Sequence, residues 1–175
     1  MPPAAPTGRR SAPPARLPLE ATVQDVAGAF AFLAGDPGVD AGQVSVIGFG
    51  WGGWRAWRLA EQTLALHRAV VFYGTTSDGR RLDRIRAPVL GHYAGYDSQT
   101  TAQVLATKRR LGERFTCHVY PDMDRGFAGG GSGAIDHVAL VRGRVGGASA
   151  GSAAGSVQAE VAEAVRQAWA RTLAF

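Results

Sequence analysis

The stretch Val44-Ser45-Val46-Ile47-Gly48-Phe49-Gly50-Trp51-Gly52-Gly53 decides the fold of this chain. A short apolar run leads into a glycine turn, and the turn opens a helix. Two kinds of chemistry use such a corner. The first is the dinucleotide fingerprint G-x-G-x-x-G, matched by Gly48, Gly50 and Gly53, in which glycines let the backbone approach a pyrophosphate at a helix N-terminus. That fingerprint also calls for an acidic residue at the end of the next strand. The next apolar run ends in Tyr73-Gly74-Thr75-Thr76 without a carboxylate, and Asp78 comes late. Only Arg80 and Arg81 are placed to hold a 2′-phosphate. The second is the nucleophile elbow, G-x-Nu-x-G, a strained strand-to-helix corner that presents an attacking side chain. In that register Gly48 and Gly52 are the flanks, Gly50 occupies the nucleophile position and the Trp51 N–H faces the oxyanion.

Outward from the corner, helices and strands alternate. Thr22 and Asp25 form a T-x-x-D helix start near Glu20, a variant of the capping box. Val23, Val26, Ala27, Phe30, Leu33 and Ala34 follow at helical spacing, and Gly35-Asp36-Pro37-Gly38 ends the helix. Val44–Ile47 reads as a buried strand. The helix after the glycine turn is expected to run to about Leu66, with Trp54, Trp57 and Ala60 on one face. Residues 69–73, 88–93 and 115–120 read as strands, 99–111 and 157–173 as helices. This alternation predicts an α/β fold, a parallel sheet of about four strands with helices on both faces.

Bulk properties set the remaining limits. With 175 residues, 46% of them hydrophobic and 19% charged, the chain suits a single globular domain. Residues 1–19, rich in proline and arginine, read as a disordered tail ahead of a domain over 20–175. A Gly/Ala/Ser-rich stretch at 128–156 reads as a flexible insertion. The lone Cys117 excludes an internal disulfide and a cysteine zinc site. The net charge of +5 comes from dispersed arginines rather than a basic helix, so no nucleic acid partner is expected. No apolar run approaches the length of a membrane span. A cytoplasmic protein without cofactor or metal is the expectation.

Further segments settle which corner this is. Gly35-Asp36-Pro37-Gly38-Val39-Asp40, then Val44–Phe49 and Trp51-Gly52-Gly53, resemble the dienelactone hydrolase family of the α/β-hydrolase superfamily, whose elbow commonly reads Gly-Phe/Tyr-Cys-x-Gly-Gly. Ala87–Asp97 resembles the strand and loop that present the family's triad aspartate. His118-Val119-Tyr120-Pro121 and Gly126-Phe127 resemble the tract around its triad histidine, and Ala168–Phe175 resembles its last helix. The resemblance covers about residues 20–127 and 157–175. It implies hydrolysis of carboxylic esters or lactones. It also implies a partial fold, because the family's sheet has further strands ahead of the elbow strand. Val44–Ile47 would then be an open sheet edge, available to a second copy or a partner chain.

Position by position, the resemblance places Asp97 at the triad acid, Gly50 where the nucleophile belongs and Arg125 where the histidine belongs. Glycine forms no acyl-enzyme, and arginine stays protonated and is no general base. The expectation is a degenerate member with weak or absent hydrolysis. The alternatives are a non-catalytic homologue that binds a partner or small molecule, and a dinucleotide-binding module using Gly48, Gly50 and Gly53. Other groups read as structural: Cys117 as a buried thiol, His118 on the opposite strand face, His92 toward a helix layer, His67 at a helix end, Ser45 buried and Ser98 as a helix N-cap. His137 is the one candidate for a relocated base. Asp122 and Asp124 stand close enough in sequence to pair with Arg125. Trp51, Trp54 and Trp57 read as packing rather than a binding platform.

Overall fold

A computed structural model describes residues 18–76, 81–128 and 152–175. The chain runs α1 (Leu19–Ala34), β1 (Val46–Phe49), α2 (Trp51–Gln62), β2 (Ala69–Phe72), β3 (Val89–Ala94), α3 (Ser98–Leu111), β4 (Phe115–Tyr120) and α4 (Ser152–Ala174). Short 3-10 turns at Ala41–Gln43, Leu82–Arg84 and Gly112–Arg114 lead into strands. The strands form one parallel sheet in the order β1-β2-β3-β4. Every residue of β2 and β3 is buried, which is why these segments read as continuous apolar runs without alternation.

Two cores sandwich the sheet. On one face Ala56, Trp57 and Ala60 of α2 meet Val71, Val89 and Tyr93, with Val104 and Leu111 of α3 and the half-buried Val26, Ala27 and Phe30 of α1. On the other face Ala164, Val165 and Ala168 of α4 pack on Val70, Phe72, Leu90 and Tyr120. The fold is α/β, with a four-stranded parallel sheet and helices on both faces.

Several boundaries move from the sequence reading. The edge strand is Val46–Phe49 rather than Val44–Ile47, because register pairs Val46 with Ala69 and Phe49 with Phe72. Val44 only leads in, its carbonyl accepting the His67 N–H at 2.9 Å. Ser45 is exposed rather than buried. Helix α2 stops at Gln62, where Thr63 turns to an extended conformation, so His67 lies beyond it. Thr22 does not cap α1. It sits inside the first turn, and its hydroxyl donates to the Leu19 carbonyl at 2.7 Å. Helix α4 begins at Ser152, within the stretch read as an insertion, and α1 begins at Leu19, within the stretch read as tail. The remainder of both stretches lies outside the described residues.

Candidate functional site

The corner between β1 and α2 has elbow geometry. Gly50 adopts φ 51° and ψ −112°, a conformation that strains any residue with a Cβ. Its N–H donates to the Phe72 carbonyl at 2.8 Å, and its own carbonyl takes the Trp54 N–H at 3.3 Å. Packing forbids side chains at two neighbours. A Cβ on Gly48 would lie 2.2 Å from the Gly52 carbonyl oxygen, and one on Gly53 would lie 2.9 Å from the Gly74 Cα. A Cβ on Gly52 meets nothing, so the glycines that sterics demand are Gly48 and Gly53, not Gly48 and Gly52. At Gly50 a Cβ would touch only the Tyr73 ring, at 3.8 Å. The packing therefore leaves room for a side chain at the apex of the corner, where the sequence has glycine.

The loops after β3 and β4 are tied together by the Gly95 N–H to the Tyr120 carbonyl at 2.7 Å and the Tyr96 N–H to the Met123 carbonyl at 3.3 Å. They bring Asp97 and Arg125 face to face. Asp97 Oδ1 accepts the Thr100 N–H at 3.2 Å, so Asp97, not Ser98, is the N-cap of α3. Asp97 Oδ2 lies 3.1 Å from Arg125 Nε, an ion pair by distance without the alignment of a hydrogen bond. Arg125 Nη2 donates to Thr100 Oγ1 at 3.3 Å. The partner of Arg125 is thus Asp97 rather than Asp122 or Asp124. The Asp97 side chain is 20% exposed and that of Arg125 52%. A cavity of about 470 Å³ is lined by Leu19, Gly50, Trp51, Trp54, Thr75 and Arg125. The structure therefore gathers Gly50, Arg125 and Asp97 in sequence at the carboxyl ends of β1, β4 and β3, with Trp51 at the cavity wall. Of Trp51, Trp54 and Trp57, only Trp57 lies away from the cavity wall, fully buried with Nε1 3.3 Å from the Tyr93 hydroxyl.

The remaining candidates stand apart from this cavity. Cys117 is half-buried rather than buried, packing with Phe115 on the α2 and α3 side, and partial burial raises its thiol pKa. His92 is fully buried beneath α4, its Nδ1 3.0 Å from the Tyr120 hydroxyl and its Nε2 3.1 Å from Thr172 Oγ1. Burial, with His118 and Arg171 nearby, lowers its pKa to about 3. His137 lies outside the described residues. Sequence reading missed Leu19, Thr75 and Tyr73. Tyr73 takes φ 41°, rare for a residue with a side chain, and its ring lies beside Gly50. The Tyr73-Gly74 pair after β2 was the available signal, since Gly74 is what lets that loop touch Gly53. Among the described residues no group of His, Cys, Asp and Glu is arranged to hold a metal ion, and no helix is long and apolar enough to cross a membrane.

The profile of the dienelactone hydrolase family matches residues 15–175. No curated protein matches the chain. Among solved structures, a Klebsiella pneumoniae protein assigned as a dienelactone hydrolase superposes with a TM-score of 0.65 at 21% identity, over 91% of this chain and 61% of its own. A dienelactone hydrolase-like promiscuous phosphotriesterase from metagenomic libraries gives 0.57 at 22% identity, over 87% of this chain and 64% of its own. At these identities the likeness is one of fold. The chain spans about three fifths of the length of these structures.

Proposed function

The chain belongs to the dienelactone hydrolase family, and from that premise we propose that it is a degenerate member, binding a small molecule over its elbow without hydrolysing esters or lactones. One observation carries the reading. The elbow apex is Gly50, and the group paired with Asp97 beside the same cavity is Arg125. Acyl transfer in such a site needs a nucleophile, a base that takes its proton, and an acid that orients the base. Here the first is missing. The second is a guanidinium that holds its proton throughout the working pH range. Asp97 then neutralises a cation rather than orienting a base, while the Trp51 N–H keeps its place at the helix start.

The described residues offer no substitute pair. Cys117 sits mid-strand in a core, with its pKa moved away from the reactive thiolate form. His92 is closed off beneath α4 and held neutral. The dinucleotide reading gains no support: β1 lies at one end of a sheet in simple sequential order, and Tyr73-Gly74-Thr75 follows β2 where a ribose-binding carboxylate would be needed.

The test is restoration. The chain as it stands is expected to show neither burst nor turnover with p-nitrophenyl acetate. Gly50→Cys with Arg125→His is expected to gain esterase activity that neither single variant shows, because a Cβ fits at residue 50 and Asp97 is already placed to orient an imidazole. Turnover by the unaltered chain, lost in Asp97→Asn or His137→Ala, would overturn the proposal.

A further inference from the structure

We propose that the last turn of α4 is tied to the sheet by an acid-released latch, held closed by the neutral imidazole of His92 with its proton on Nε2. The latch lies beneath α4, apart from the cavity over the elbow, and stands whether or not that cavity is catalytic. Four hydrogen bonds make it. Arg171 Nη1 donates to the Tyr120 hydroxyl oxygen at 2.9 Å. That oxygen lies 3.0 Å from His92 Nδ1, and His92 Nε2 lies 3.1 Å from Thr172 Oγ1. The Thr172 hydroxyl donates to the Ala168 carbonyl at 2.9 Å.

The two ends fix the direction of the chain of bonds. A guanidinium only donates and a carbonyl only accepts. The single hydroxyl hydrogen of Thr172 goes to Ala168, so Thr172 Oγ1 receives the proton of His92 Nε2. Tyr120 accepts from Arg171 and gives its own hydrogen to His92 Nδ1. The opposite tautomer makes one bond fewer. Thr172 would turn from Ala168 to His92 Nε2, and the hydrogen of the buried Tyr120 hydroxyl would lose its acceptor. A ring carrying both protons aims Nδ1–H at the hydrogen of Tyr120 and forces it away.

Charge acts in the same sense. The titratable and charged groups facing the ring are His118 and Tyr120 from β4 and Arg171 from α4, while β2 presents Phe72. No carboxylate is among these groups, so an imidazolium would be fully buried beside cations without a counter-ion. Burial, with His118 and Arg171, accordingly lowers the pKa of the closed ring to about 3. Apolar packing does little for this end of the helix. Ala164, Val165 and Ala168 are buried, but Leu173 beyond them is 71% exposed, and past Trp169 only Phe175 returns to the core edge. Opening the turn brings the ring to water, where it titrates near about 6.5. Between those values the open form binds the extra proton. The closed form is therefore fully favoured above about 6.5, and each pH unit of acid below it favours opening by up to about tenfold.

Two measurements on the full chain test the latch. Nitrogen-15 NMR of the imidazole rings at neutral pH is expected to show His92 neutral and protonated at Nε2. A proton on Nδ1, or an imidazolium, overturns the assignment. Hydrogen exchange read by mass spectrometry, corrected for the chemical rate at each pH, follows the opening. Residues 168–175 are expected to lose protection about tenfold or more between about pH 6.5 and about pH 5, while residues 89–94 keep theirs. Protection of 168–175 that stays constant, or falls only together with that of β3, overturns the local release. Neither measurement needs a variant. His92→Phe should remove the pH dependence of exchange in the last turn. A dependence that survives it moves the titration to another group, His118 first, and overturns the latch.

Discussion

His92 shows how far a single residue's setting can depart from its sequence context. Its ring is fully buried between Phe72, at 4.5 Å between ring centres, and α4, and both nitrogens are engaged. Burial is the largest cause of its lowered pKa of about 3, with the His118 and Arg171 charges adding to it. In an unfolded chain the same ring titrates near about 6.5. Between those values the unfolded state binds the extra proton, so stability is fully present above the unfolded pKa. It falls as pH drops toward the folded one, by at most about 1.4 kcal/mol per pH unit for this residue. Urea midpoints taken stepwise from neutral to acid pH, for the chain and for His92→Phe, check this. The advantage of the original residue should shrink with acidity, and parallel curves would show that His92 is not the sensor. The sequence placed His92 on a strand facing a helix layer, which is correct, but could not supply Tyr120, Thr172 and Arg171 as its neighbours. Those contacts depend on the docking of α4, a long-range event without local signature. Gly53 carries the opposite lesson. Its role follows from the glycine turn, and Gly53→Ala is expected to cost about 1–3 kcal/mol in denaturant unfolding, since the new methyl would meet the Gly74 backbone. A cost within error would mean that the two loops part without penalty.

At the level of elements, α2 is the clearest departure from helical-wheel reasoning. Its apolar face of Trp57 and Ala60 was legible, and the glycine turn announced the helix, which begins inside that turn at Trp51. Its charged residues carry no sequence signal of burial, yet Arg55, Arg58 and Glu61 are all buried. The reason is α1. Amphipathicity marks a helix's inner side but does not say whether a second helix will cover the outer one. Arg58 bridges Glu61 at 2.6 Å and Glu20 of α1 at 3.3 Å. Its guanidinium is raised in pKa, because the two carboxylates outweigh the cost of burial. The Glu61 side chain is 0% exposed and that of Glu20 68%. The two partners should therefore differ in weight. Arg58→Ala removes one cation from a buried carboxylate and is expected to cost about 1–3 kcal/mol. Glu20→Ala removes an exposed partner and is expected to cost under about 1 kcal/mol. Unfolding free energies of the two variants check the ranking, and similar small losses would mean that water reaches Glu61 in solution.

For the whole molecule the open question is the sheet edge. The alternation of strands and helices made the parallel sheet legible, while its sequential strand order is a finding of the structure. What sequence did not supply was register, and with it which residues of the β1 region sit at the edge. Register places Val46–Phe49 there, paired with β2 on one side and unpaired on the other among the described residues. The strand has no charge, no proline and no bulge to blunt it, and Ile47 is 45% exposed. Natural sheets guard such edges, because unpaired backbone groups beside apolar side chains template further pairing. The structural relatives are longer than this chain by a wide margin, and the chain aligns to only about three fifths of each. For the chain as given we expect association through β1 that grows with concentration, seen by light scattering up to about 100 μM. Ile47→Lys places a charge on the exposed face of that strand without touching the β2 ladder, and should shift the population toward monomer while leaving the circular dichroism spectrum unchanged. A monodisperse monomer across that range, with a cooperative melt, would show that β1 is guarded by some other part of the chain. An association that Ile47→Lys leaves intact would move the contact to another surface, with the exposed Phe32 and Leu33 at the end of α1 the first to examine.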